Sequence, residues 1–156
     1  MKPKFKQLYT IIATEVAKMS HAKRLQVGAI VVKDDRIISM GYNGMPSGWE
    51  NDCEDKEWMG DAGGLIDPDE IKERWPFEGE YYDGIGRAMK DRFRLKTRAE
   101  VLHAEMNSLM KLAKSTESGE GADLFVTHSP CIDCAKLIYQ SGISRVFYGE
   151  DYRDDT

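Results

Sequence analysis

Cysteine is scarce, with three in 156 residues. Three thiols cannot build the disulfide framework that staples small secreted domains, so a reducing, cytoplasmic setting is expected. No apolar run reaches the length that a bilayer span needs, so no membrane partner is expected. The first residues, Met1-Lys2-Pro3-Lys4-Phe5-Lys6, are basic, but no signal-peptide core follows them. Cations are outnumbered: 22 Lys and Arg face 27 acids, a net charge of -5. A protein that grips a nucleic-acid backbone needs a basic patch, so nucleic acid is not an expected partner. A small anionic substrate needs only one or two local cations and stays allowed. Internal repeats are absent. What remains is 41% hydrophobic and 31% charged, in a length that fits one domain with a proper core.

The scarce residues are concentrated. His103-Ala104-Glu105 reads H-x-E, and Pro130-Cys131-Ile132-Asp133-Cys134 reads P-C-x-x-C. His103, Cys131 and Cys134 are three ligands for zinc, and a catalytic zinc keeps its fourth position open for water. Glu105 is then a spare carboxylate beside the metal. The order matches the signature of zinc-dependent base deaminases. Cys131 and Cys134 are three apart and share one helix face. Pro130 suits the first turn of that helix, whose positive end favours thiolate over thiol. Glu100 to Lys114 reads as another helix, with Val101, Leu102, Met106, Leu109, Met110 and Leu112 apolar and His103 and Glu105 in its first turn. Two helix N-termini are expected to converge on one metal. A lone CxxC also serves as a redox pair or as half of a structural zinc site, so the conjunction carries the assignment.

The rest of the chain reads as alternating elements. Phe5, Leu8, Ile11, Ile12, Val16 and Met19 recur at helical spacing and predict an amphipathic helix ending near Ser20. Val27 to Lys33 reads as a buried strand, Asp34-Asp35 as a turn, and Arg36 to Tyr42 as the returning strand. Trp49 to Arg98 is weakly patterned and reads as an insertion, with a helix start at Asp67-Pro68-Asp69-Glu70. Asp123 to Thr127 reads as a strand, Cys131 to Gln140 as a helix, and Arg145 to Tyr148 as a strand. That order implies a right-handed crossover and parallel pairing of the last two strands. The sum is a three-layer α/β/α sandwich with a mixed sheet of four or five strands, one domain over 1–156 with an insertion at about 49–98.

Gln26-Val27-Gly28-Ala29, Gly41-Tyr42-Asn43-Gly44-Met45-Pro46, His103-Ala104-Glu105 and Pro130 through Ile138 together resemble deoxycytidylate (dCMP) deaminases of the cytidine deaminase-like superfamily. HxE and PCxxC specify only the superfamily; the GYNGMP stretch resembles dCMP deaminases in particular. The long segment from Trp49 to Arg98 resembles phage-type members. The resemblance implies zinc-dependent hydrolysis of dCMP to dUMP and ammonia, supplying dUMP for thymidylate synthesis. Zinc lowers the pKa of bound water towards ~7, and the resulting hydroxide attacks C4 of cytosine. Glu105 takes the water proton and passes it to N3 and then to the leaving amino group. Asn43 is expected to hold the sugar and orient the base, with Ala104 and Ser129 offering backbone groups to the base edge. Lys23 and Arg24 are expected to meet the 5′-phosphate, and Tyr152 and Arg153 to close over the base or phosphate. The resemblance further implies a homo-hexamer activated by dCTP with Mg²⁺ and inhibited by dTTP. Gly41, Tyr42 and Gly44 are the effector residues in that reading. The amides of the two glycines face an anion, and Glu50, Asp52 and Glu54 help hold Mg²⁺.

Other readings stand beside this one. A deaminase of a free nucleoside or another heterocycle would share both motifs without needing the phosphate. A zinc-stabilised binding module without catalysis would typically close its site with a fourth ligand. An RNA- or DNA-editing deaminase would need a basic, aromatic-lined groove. Cys53, His21 and His128 are either a second, structural zinc site with nearby acids or a buried thiol and two ordinary histidines.

Overall fold

The computed structural model describes residues 1–58 and 93–151. The expected helix start at Asp67-Pro68-Asp69-Glu70, and Tyr152 and Arg153, lie outside those residues.

Helix α1 runs Pro3–Ala17, with Pro3 at its first turn, where a missing N–H costs nothing. Its buried stripe is Tyr9, Ala13 and Val16, at helical spacing. Leu8, Ile11 and Met19, expected on that stripe, are exposed. The helix is rotated because Tyr9 goes inward: its ring meets Phe125 and its hydroxyl donates to the Asp35 carbonyl at 3.1 Å. A tyrosine with a polar partner is as good a core residue as a leucine.

Strands β1 (Gly28–Lys33) and β2 (Arg36–Tyr42) form the expected hairpin. Asp34 and Asp35 both take positive φ, 49° and 58°. A two-residue turn of that kind matches the twist of the strands, and Asp tolerates the conformation. Strand β1 then pairs antiparallel with β5 (Asp123–His128), and β5 pairs parallel with β6 (Arg145–Glu150). The sheet order is β2-β1-β5-β6, a mixed four-stranded sheet among the described residues. Alternation along the strands makes two cores. Ile30, Val32 and Phe125 pack on α1, while Ala29, Val31, Leu124 and Val126 pack against α2 (Ala104–Ala113) and α3 (Ile132–Gln140). The α/β/α architecture is the one expected.

Two helix boundaries differ from expectation. Helix α2 starts at Ala104, not Glu100. Val101 and Leu102 precede it, and Leu102 exchanges both backbone hydrogen bonds with Gly44, at 2.9 and 3.0 Å. That bridge uses the N–H and C=O that a longer helix would need. Met110, expected as an apolar-face residue, is exposed. Helix α3 starts at Ile132, so Pro130 lies outside its first turn, ahead of the capping residue Cys131. Within the expected insertion, Glu54–Trp58 (β3) and Phe93–Thr97 (β4) pair as a separate antiparallel ribbon that the sequence did not announce.

Candidate active site

His103 and Cys131 occupy matching positions. Each is the residue that caps a helix, with extended backbone (φ -70°, ψ 155° and φ -66°, ψ 168°), and neither side chain bonds its own helix end. Both side chains are thereby released towards each other. Cys134 adds its sulfur from the first turn of α3. His103 Nδ1 lies 3.5 Å from Cys131 Sγ and 3.4 Å from Cys134 Sγ. All three donors fall within 4.8 Å of one another, the single such group among the described residues. Zinc bond lengths to nitrogen and sulfur in a tetrahedron give N···S edges of about 3.5 Å. The donor set and its spacing therefore fit zinc with one position left over. Two helix N-termini converge here, as expected, and their dipoles favour the thiolates.

Burial pushes the Cys134 thiol above its ordinary range, and the charges of Glu105 and Cys131 push it further. A dication among these donors inverts that balance. Glu105 sits in the first turn of α2 and is 4% exposed. Burial holds its carboxyl above the usual carboxylate range; its own backbone amide and His103 pull part of the way back. A carboxyl raised in this way holds a proton more readily than a free one, which suits a group that must both take and give protons.

A cavity of about 540 Å³ opens over these groups, large enough for a nucleotide. Its wall includes Asn43, Ala104, Ser129 and Arg24 of the expected residues; Lys23 is not on it. Asn43 does two things. Its Oδ1 accepts from Val27 N at 2.8 Å and its Nδ2 donates to the Leu25 carbonyl at 2.8 Å. One Nδ2 hydrogen and one Oδ1 lone pair remain for a ligand. The Ser129 amide is already given to the Glu150 carbonyl at 2.8 Å, so that N–H is not available to a base. The Ala104 amide opens α2, where no intrahelical partner exists.

The effector residues fall differently. Gly41 lies inside β2, opposite Ala29. The Gly44 amide is spent on Leu102. Neither glycine takes a positive φ. The expected pair of amides facing an anion is therefore not formed. Tyr42 packs beside the α1 core, under Lys111 at 5.5 Å, and is not on the cavity wall. Of the acids expected at Mg²⁺, Glu54 is committed to the Lys23 and Arg24 amides, at 2.9 and 3.1 Å. Glu50 and Asp52 are exposed. Cys53 is buried with its thiol on the Asn51 carbonyl, and His21 is exposed.

Sequence reasoning did not place His128, Glu150, Glu54 or Thr97 on this wall: His128 was weighed only for a second zinc site and Glu54 only for Mg²⁺. His128 and Glu150 lie at the C-terminal ends of the parallel pair β5 and β6, 3.4 Å apart. Ligands commonly bind beyond the carboxyl ends of parallel strands, and that rule would have flagged both. Glu54 and Thr97 come from the β3–β4 ribbon, and nothing local in the sequence pointed either of them at this cavity.

Comparison with known proteins agrees with this geometry. The profile of the cytidine and deoxycytidylate deaminase zinc-binding region matches residues 3–150. The deoxycytidylate deaminase of enterobacteria phage T4 is 35% identical over 151 residues, 90% of this chain and 75% of the relative. That of Mycobacterium phage D29 is 34% identical over 150 residues, 96% of this chain and 98% of the relative. The crystal structure of the dCMP deaminase from cyanophage S-TIM5 in complex with dCMP and dUMP superposes with a TM-score of 0.71 at 38% identity. That match covers 99% of this chain and 87% of the other. The zinc-ligand set, the buried glutamate and a profile match over nearly the whole length agree: the chain belongs to the cytidine and deoxycytidylate deaminase zinc-binding family.

Proposed function

We propose that this protein is a zinc-dependent hydrolytic deaminase that converts dCMP to dUMP and ammonia. The observation that carries the reading is the convergence of His103, Cys131 and Cys134 beside the buried Glu105 in a nucleotide-sized cavity. A zinc ion on these ligands would supply a water acidic enough to act as a nucleophile at neutral pH. Glu105 receives the proton from that water and delivers it to N3 of the ring. It then takes the second proton, from the hydroxyl now on C4, and gives it to the amino group. That group leaves as ammonia as the C4 carbonyl forms, so the carboxyl ends the cycle as it began. Its burial keeps it able to hold a proton between the two transfers. Asn43 offers its remaining donor and acceptor to the sugar, and the Ala104 amide faces the base edge. Arg24 supplies the cation for the 5′-phosphate. Support for dCMP over other cytosine compounds comes from the phage relatives and from the dCMP- and dUMP-bound neighbour.

Ammonia release from dCMP and from deoxycytidine at equal concentration, with and without a zinc chelator, tests the reading. Strong preference for dCMP and loss of activity on chelation are expected. Equal rates on deoxycytidine would move the protein to the free-nucleoside class.

The finer reading is a single deaminase domain over 1–156, assembled as a hexamer that dCTP with Mg²⁺ activates and dTTP inhibits, feeding dUMP to thymidylate synthesis. The domain reading is supported by the family match over residues 3–150. The regulation is supported by the resemblance of the Gly41 to Pro46 sequence alone, without the nest of amides expected there. Sigmoidal dCMP kinetics that become hyperbolic with dCTP and Mg²⁺ are expected. Hyperbolic kinetics that neither nucleotide shifts, in a preparation with full zinc, would rule the regulation out.

A further inference from the structure

Arg24 is the one Lys or Arg on the cavity wall among the described residues, and four acids share that wall: Glu54, Glu105, Glu150 and Asp151. Among the described residues, the guanidinium of Arg24 is the cation that an anionic phosphate in this cavity can meet, so where it is held matters. Two residues of the β3–β4 ribbon hold it. Glu54 Oε1 accepts from the backbone amides of Lys23 and Arg24, at 2.9 and 3.1 Å. Thr97 Oγ1 meets Arg24 Nη1 at 3.1 Å. Glu54 and Thr97 are opposite one another in the ribbon register, so one cross-strand pair fixes both the backbone and the guanidinium of Arg24. Asn43 ties down the far end of the same loop through Leu25 and Val27. The loop is thus pinned from the sheet on one side and from the insertion on the other.

We propose that Glu54 and Thr97 are positioning residues that present Arg24 to the substrate phosphate, which makes the β3–β4 ribbon part of the apparatus that selects a nucleotide over a nucleoside. This rests on the dCMP reading above. A carboxylate beside a phosphate site would ordinarily repel the substrate. Here its oxygen is turned onto two amides, an arrangement in which a charged acceptor makes stronger bonds than a neutral one.

The test is steady-state kinetics of the zinc-loaded protein on dCMP and deoxycytidine. Glu54→Ala and Thr97→Val should each raise KM for dCMP about tenfold, the scale of one lost charge-assisted hydrogen bond, with a much smaller fall in kcat. KM for deoxycytidine should stay within about twofold. Glu54→Gln keeps the acceptor oxygen and should recover most of the loss. Glu54→Ala added to Arg24→Ala should cost nothing beyond Arg24→Ala, because the two act through one group. Tighter dCMP binding in Glu54→Ala would mean that the carboxylate only repels phosphate, and would overturn the proposal. Equal changes for both substrates would do the same. If Arg24→Ala alone leaves the preference for dCMP intact, the assignment of Arg24 to the phosphate fails. If Arg24→Ala destroys the preference while Glu54→Ala and Thr97→Val do not, only the present inference fails.

Discussion

Gly41 lets strand β2 lie directly on Ala104, the first residue of α2. A Cβ on Gly41 would run into the Ala104 carbonyl oxygen and the Ser108 amide, both backbone atoms that cannot swing aside. Ser39 and Asn107 reinforce the contact: Ser39 donates to the Ser108 carbonyl and Asn107 to the Tyr42 carbonyl, each at 2.7 Å. The turn carrying His103 and Glu105 therefore takes its position from the strand. Gly41→Ala should destabilise the protein by about 1–3 kcal/mol, the usual cost of overpacking, in urea unfolding. It should also lower the zinc bound per chain. Gly44→Ala is the control: open space surrounds its Cβ position and its φ is not positive, so its cost should stay within about 0.5 kcal/mol. Gly41→Ala with full stability and full zinc would mean that strand and helix can part without consequence.

The metal assignment is tested by removal. Cys131→Ser and Cys134→Ser should each lose zinc and activity together, since a hydroxyl is a poor substitute for a thiolate ligand. The parent protein should hold one zinc per chain by metal quantitation and regain activity when zinc is returned after chelation. Full zinc in either serine variant would remove that cysteine from the ligand set.

Glu105→Gln should retain zinc and lose at least ~100-fold in kcat, the size of effect expected for a group that transfers protons. It has a second consequence, on stability. Burial raises the folded-state pKa of Glu105 above its unfolded value. Its contribution to stability is then fully present below the unfolded pKa, ~4.3 for Glu, and is lost as pH rises through the folded one. In the metal-free protein, Glu105→Gln should therefore be more stable than the parent at pH 8, and the gain should disappear near pH 4. An unchanged difference between those two pH values, measured by urea unfolding, would show that the carboxyl is not held protonated by its surroundings.

The legible parts of the molecule are those set by neighbours in sequence. Ala29 to Val32 read as a buried strand because β-branched residues crowd there, and Asp34-Asp35 mark the turn by their own chemistry. The metal site was legible because its ligands are rare residue types at fixed spacings. The misreadings come from distant partners. Val101 and Leu102 carry helical spacing, but Gly44 takes the backbone bonds of Leu102 from far along the chain. Leu8 and Ile11 looked like core until Tyr9 found Asp35. Glu54 stands 30 residues from the amide of Arg24, and nothing near either residue announces the other. The effector glycines were read from the resemblance and a general liking of glycine-rich loops for anions; the register of β2 and the Gly44 bridge overrode it.

Asn43 holds a structural task and a binding task in one side chain, and the two can be separated. Asn43→Ala removes both of its loop contacts, leaving the Val27 amide and the Leu25 carbonyl to find other partners. The expected cost is about 2 kcal/mol in stability. Asn43→Asp keeps an acceptor for Val27 but sets a carboxylate oxygen against the Leu25 carbonyl, and it adds an acid to a wall that already carries four. Its stability should fall less than that of Asn43→Ala if the Val27 contact dominates. Its KM for dCMP should rise more, because the new charge opposes the phosphate. The substrate pair again tells the tasks apart. A rise in KM shared by dCMP and deoxycytidine in Asn43→Ala places the side chain on the sugar or base. A rise confined to dCMP means that the released loop has carried Arg24 away from the phosphate. No rise for either, beside the loss of stability, would leave Asn43 with the clamp alone.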